Sequence, residues 1–307
     1  MKHPNKILIQ CAIGAFALAI NLLFPEWVFS ARYYFLALVI LLIGMPHGAL
    51  DHIIDGNLEG WNPFTLNLKF YGWYLTAIAA YALVWVFFPL FSFAFFLAIT
   101  WYHFGQADAE RFTWTGWKKH LIHFSRGLTV VGLIVFGDLT YASSVIEAVT
   151  AFSVETWLQE RTNTDIIRWG IAGWYPAVFL LLSLMDRSPV SAKLIYALDA
   201  VMVPVLFLYA DPVWAFGIYF GLWHSYNHVL VMLGYLRSEG KTVSFSWFYK
   251  YSFNFSLLSY LGLLFIYNLL NAFGQEELLV ALLFVVISVL TLPHLMVVEK
   301  LYSTYKS

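Results

Sequence analysis

"GLWHSYNHVLVMLGY", residues 221–235, sets two histidines four residues apart inside an otherwise apolar, aromatic run. If that run crosses a bilayer, it is a costly place for groups that need hydrogen bonds. The reading of this stretch therefore depends first on where it lies, and then on where the other histidines lie.

Composition places it in a membrane. Of 307 residues, 61% are hydrophobic, 20% aromatic and only 11% charged, with a mean hydropathy of +0.72. A soluble domain carries about 25% charged residues, so too little polar surface is present here to cover a water-soluble globule. Net charge is -1 and no basic block occurs, which gives nucleic acid as a partner no support. The single cysteine, Cys11, has no cysteine partner for a disulfide or a metal site.

Spanning a bilayer takes about 20 apolar residues at 1.5 Å each. Ten runs approach that length, at 7–24, 33–53, 70–88, 91–107, 121–137, 169–185, 192–209, 211–236, 251–273 and 277–298. The expected fold is an all-α, polytopic transmembrane helical bundle forming one domain over 1–307, with 138–168 a loop-sized insert. The first run follows the basic stretch "MKHPNK", but no small-residue cleavage site follows it, so it reads as a span. With ten spans, 13 Lys and Arg residues fall on one side of the membrane. Three, Arg32, Arg161 and Arg168, fall on the other, and Arg126 lies inside a span. Basic residues favour the cytoplasmic side, so both termini are expected there, in a multi-pass protein of the plasma (inner) membrane.

No phosphate loop, GxSxG elbow, HExxH or CxxC occurs, so the chemistry falls to histidine. His47, His103, His294 and the pair His224/His228 all lie on even-numbered spans, in the cytoplasmic half of the membrane. The i, i+4 spacing of the pair turns both rings to one helix face, where they suit one metal ion or pack as hydrogen-bonded imidazoles. Adding His47 and His103 at similar depth favours a metal. An all-imidazole set suits iron, copper or zinc. Asp51, Asp108 and Glu110 are candidates for carboxylates that orient the ligands. His294 reads equally as an outer partner or a satisfied core histidine, and less as a fifth ligand. His52, His120 and His123 lie near the boundary, where water solvates them, and Arg126 reads as snorkelling to the cytoplasmic face. Pro46 and Pro293, each preceding a histidine, open the helical turn before them and release the carbonyls of Leu42 and Val289. Trp101, Tyr102, Phe220, Trp223 and Tyr226 surround the histidines and are candidates for the wall of a flat conjugated ligand, although interfacial belts also consume such residues.

"GMPHGALDH" (44–52), "WYHFGQAD" (101–108), "WHSYNH" (223–228) and "LPHLMVVE" (292–299), in this order, resemble the Brp/Blh family of membrane carotenoid-cleaving oxygenases. The resemblance runs from the second span to the tenth. It implies an Fe(2+) dioxygenase that cleaves the central 15,15' double bond of beta-carotene with O2. The products are two molecules of all-trans-retinal, which supply a microbial rhodopsin. It carries the four iron ligands onto His47, His103, His224 and His228. A substrate dissolved in the lipid bilayer would reach a site between helices laterally. Two other readings remain. A di-iron lipid desaturase or hydroxylase needs two metals, and usually repeated histidine boxes, where only one HxxxH and one HxxH occur. A non-enzymatic transporter with a histidine relay needs acids inside the spans, and Asp199 is the exception among acids at helix ends.

Overall fold

A computed structural model of the chain describes residues 4–65, 67–109, 112, 114–159, 163–275 and 278–305. Glu110, Arg161 and His3 lie outside the described residues. The described residues are all-α. In chain order the helices begin with α1 (Pro4–Leu23), α2 (Pro25–Val39), α3 (Met45–Gly48), α4 (Asp51–Glu59) and α5 (Leu68–Phe87). Next come α6 (Pro89–Ala109), α7 (Trp117–Phe136), α8 (Leu139–Thr150), α9 (Val154–Gln159) and α10 (Thr164–Leu184). The last are α11 (Val190–Tyr209), α12 (Pro212–Ile218), α13 (Tyr226–Ser238), α14 (Phe245–Ala272) and α15 (Leu279–Thr304). Two π-helical turns, Ile40–Gly44 and Tyr219–Ser225, precede α3 and α13.

Local chemistry sets several of these starts. Asn67, Asn163, Asp211 and Ser244 each cap the helix that follows, their side-chain oxygens accepting from backbone N–H groups that have no intrahelical partner. α4 stops at Gly60, whose φ of 75° is a left-handed conformation that glycine adopts without steric cost. Pro46 follows directly on the first π-helical turn, and Tyr260 Oη donates to the carbonyl of Leu41 within that turn. Pro293, by contrast, lies inside an unbroken α15.

Seven helices are long and apolar enough to cross a membrane, and α7 with α8, bent by 86°, makes an eighth if the pair is one span. Among the described residues the count by length and apolarity is thus seven or eight, beside the ten runs read from the sequence. α6 carries His103, Gln106 and Asp108 in its last turns, and the run 211–236 is interrupted by the second π-helical turn; neither is among the seven. The stretch 138–168 is not a loop either: it forms α8, α9 and the start of α10. Large apolar side chains stand exposed along α14, among them Leu258, Leu261, Leu264 and Phe265. That surface suits lipid and would be an aggregation hazard in water.

The chain groups into two compact units. The first comprises 1–39, 100–144 and 153–224, and the second 40–99, 145–152 and 225–307. In the first, backbones of α6 and α7 approach closely: a Cβ on Gly105 would lie 2.1 Å from the His123 carbonyl oxygen, and one on Gly127 2.0 Å from that of Trp101. Small residues allow such contact, which replaces the hydrophobic driving force that lipid removes. Interhelical hydrogen bonds add to it, including Gln10 Nε2 to the Leu222 carbonyl (2.7 Å) and Thr129 Oγ1 to the Ile171 carbonyl (2.9 Å). In the second unit, Leu50, Ile53 and Ile54 of α4 pack with Met232, Leu233 and Leu236 of α13 around Phe248 and Leu301. Deeper along α5, Trp85 donates to Ser288 Oγ (3.0 Å), which donates in turn to Tyr81 Oη (3.1 Å).

Gly105→Ala is expected to lower the melting temperature of the detergent-solubilised protein by the equivalent of about 1–3 kcal/mol or more, because the obstructing atom is backbone. Gly170, with nothing within 4 Å of an added Cβ, is the control. Equal melting of Gly105→Ala and Gly170→Ala would contradict the close α6–α7 contact.

Candidate metal centre

In the second unit three imidazoles face one another. His47 on α3, His228 on α13 and His294 on α15 are 7%, 1% and 7% exposed. Ring centroids lie 5.6 Å apart for His47–His228, 5.0 Å for His47–His294 and 5.4 Å for His228–His294, each pair nearly perpendicular. The Nδ1 atoms of two of them are held: that of His228 lies 3.2 Å from Tyr302 Oη, and that of His294 lies 2.9 and 3.0 Å from the carboxylate oxygens of Asp51. Tyr74 Oη donates to the same carboxylate at 2.8 Å.

In the first unit His103 on α6 and His224 in the second π-helical turn pair at 4.9 Å, both buried. Phe104 lies 4.4 Å from the His224 ring and Phe220 stacks on it at 5.4 Å. π-Helical turns often mark functional positions, since the widened turn redirects a side chain.

Within each unit the donor set fits a transition metal chemically, because it is all imidazole and buried. Its spacing is close to what is needed: two rings bonded to one ion at about 2.0–2.1 Å stand roughly 4.5–5.3 Å apart. Holding the second ring nitrogen with a carboxylate or hydroxyl is how metal-binding histidines are oriented. Among the described residues, however, no three His, Cys, Asp or Glu side chains are already arranged to hold an ion. Ligation requires the rings to turn about their side-chain torsions.

The remaining residues singled out from the sequence divide clearly. Asp51 serves His294 and Tyr74. Asp108 accepts from Arg126 Nε (2.8 Å) and Tyr219 Oη (2.8 Å), so this carboxylate is taken up by an arginine and a tyrosine. Arg126 does not snorkel. It is fully buried, with Asp199 3.4 Å from its Nη1 and the Tyr175 ring 4.9 Å from its Cζ. A charge inside a span is stable only when paired, and sequence hydropathy does not show the pairing. His52 and His123 are buried rather than solvated, the His52 ring tilted against Phe255 at 4.7 Å, whereas His120 is exposed.

Of the aromatic candidates, Trp223 is fully buried and donates to Asp199 at 2.6 Å. That bond also engages the acid on which the carrier reading relied. Trp101 donates to the Phe124 carbonyl (2.8 Å), Tyr102 is 47% exposed, and Tyr226 stacks on Phe245. Among the five, Phe220 is in ring contact with a histidine of the set, stacked on His224. The sequence reading missed Tyr74 and Tyr302. Their only signal is a hydroxyl in an apolar helix, which many interfacial tyrosines share.

The fold and these side chains define an all-α protein with several helices suited to a membrane and buried, oriented imidazoles as its chemical groups. A family model described as beta-carotene 15,15'-dioxygenase matches residues 38–302, and the chain belongs to this family. A relative named probable beta-carotene 15,15'-dioxygenase Blh, from Halobacterium salinarum, is 29% identical over 213 residues. The match takes in 65% of this chain and spans only 61% of the relative's length. No solved structure matches the chain.

Proposed function

We propose that the protein is an iron(II)-dependent membrane dioxygenase that cleaves the central 15,15' double bond of beta-carotene with O2 to give two all-trans-retinal molecules. The observation that carries the reading is the set of buried imidazoles, among them His228 with its Nδ1 held by Tyr302, in a chain of this family. His47, His103, His224 and His228 would hold the ion. Bound there, iron(II) supplies the oxygen chemistry.

The protein's own task is positional. Beta-carotene is apolar along its whole length, so it partitions into the bilayer and enters from the side, with no need to cross water. Phe220, partly exposed and stacked on His224, presents a flat apolar surface against which a polyene can lie. No side chain is required to move a proton, and regiospecificity rests on where the wall stops the chain. The proposal places the protein in the plasma membrane with both termini cytoplasmic, and passes its retinal to a microbial rhodopsin. The iron count separates it from a lipid oxidase, which needs two metals per chain.

The test is product analysis in bacterial cells that accumulate beta-carotene. Bleaching with retinal as the product supports the reading. Cells that stay coloured while blotting shows abundant protein overturn beta-carotene as substrate.

A further inference from the structure

We propose that His294 is itself a ligand of the metal, oriented by Asp51, and that it forms a three-imidazole face with His47 and His228. This deepens the function proposed above and rests on its iron reading.

The argument begins with spacing. His294 stands 5.0 Å from His47 and 5.4 Å from His228, no farther than those two stand from each other at 5.6 Å. A ligand set that includes His47 and His228 thus has a third ring at the same range. Orientation comes next. Both carboxylate oxygens of Asp51 lie within 3.0 Å of His294 Nδ1. A carboxylate only accepts, so Nδ1 carries the proton and, in the neutral ring, Nε2 carries the lone pair a metal needs. Asp51 is in turn held by Tyr74 Oη, and it is 4% exposed. Burying a carboxylate in an apolar helix packing is costly unless it is paired and hydrogen-bonded, as Asp51 is by Tyr74 and His294. A carboxylate fixing an imidazole whose far nitrogen faces a metal is a recurrent use.

Placement agrees. Asp51, the first residue of α4, lies four residues beyond His47 on α3, so adjoining elements carry one ring and orient another. The ring of His294 lies over Gly48, where a Cβ would stand 3.7 Å from Nδ1, so the segment Met45–Gly48 is packed against it. The competing account is a simple ion pair, in which Asp51 and a protonated His294 tie α15 to α4. That account gives His294 no part in metal binding.

The experiment uses the full-length protein in detergent, with Co(II) as a spectroscopic probe added without oxygen, and Fe(II) affinity read by chelator competition. His294→Ala is expected to weaken binding by more than about tenfold and to alter the visible Co(II) spectrum, with added imidazole restoring it. His294→Gln, which keeps an amide for Asp51 but no imidazole, guards against a folding defect and gives the same spectral change. Asp51→Asn is expected to weaken binding about 10–100-fold while leaving the spectrum that of an unchanged ligand set. Unchanged affinity and spectrum in His294→Ala and His294→Gln overturn the inference and leave the ion pair. Wild-type protein that takes up no metal overturns the iron reading itself, and this inference with it.

Discussion

Arg126→Met is expected to destabilise the protein by about 3–5 kcal/mol, among the largest effects any single substitution should have here. The guanidinium is fully buried beside Asp108 and Asp199, and those carboxylates also receive Tyr219 and Trp223. Removing the cation leaves two buried acids without their compensating charge, and that uncompensated charge dominates the cost. Tyr219, Trp223 and His224 share one π-helical turn. The defect should therefore reach the ring that stacks on Phe220. Arg126→Lys keeps the charge but loses the fork that spans two carboxylates, so its loss should be intermediate. The triple variant Arg126→Met, Asp108→Leu, Asp199→Leu should recover much of the stability, because replacing a whole buried ionic group with apolar residues is often close to neutral. Unfolding in detergent titrations measures all three. An Arg126→Met protein as stable as wild type would show that the network is dispensable.

His224→Ala and His228→Ala are expected to reduce retinal formation by more than about a hundredfold each while leaving the protein folded. Loss of an outer partner of a ligand already costs about 10–100-fold in metal affinity or activity, and loss of either proposed ligand should exceed that. Both rings are buried, at 2% and 1% exposure, and truncation leaves small cavities rather than unpaired charge. Stability should thus fall far less than in Arg126→Met. Beta-carotene-accumulating cells report the activity, and iron per chain in the purified variants reports the cause. If either variant keeps wild-type retinal output, that histidine holds no iron in the reaction.

Much of this was legible in the sequence. Helix class and most spans followed from hydropathy, and α1, α5, α10, α11 and α14 lie within a few residues of the runs read for them. The i, i+4 reading of His224 and His228 assumed one α-helix, whereas His224 falls in the π-helical turn and His228 in α13. Misreadings arose where a polar group lowered local hydropathy without leaving the fold. Arg126, His52 and His123 looked like groups bound for water, yet all three are buried.

The sequence by itself determined the class of fold, because hydropathy depends on residues within a turn or two of each other, and it put the four histidines forward as candidates. Only the tertiary structure decided that Asp51 serves His294, 243 residues away, that Tyr302 holds His228, and that Arg126 is neutralised by Asp108 and Asp199. Such pairings are set by packing between helices, where a buried polar group takes whatever partner the neighbouring helix presents.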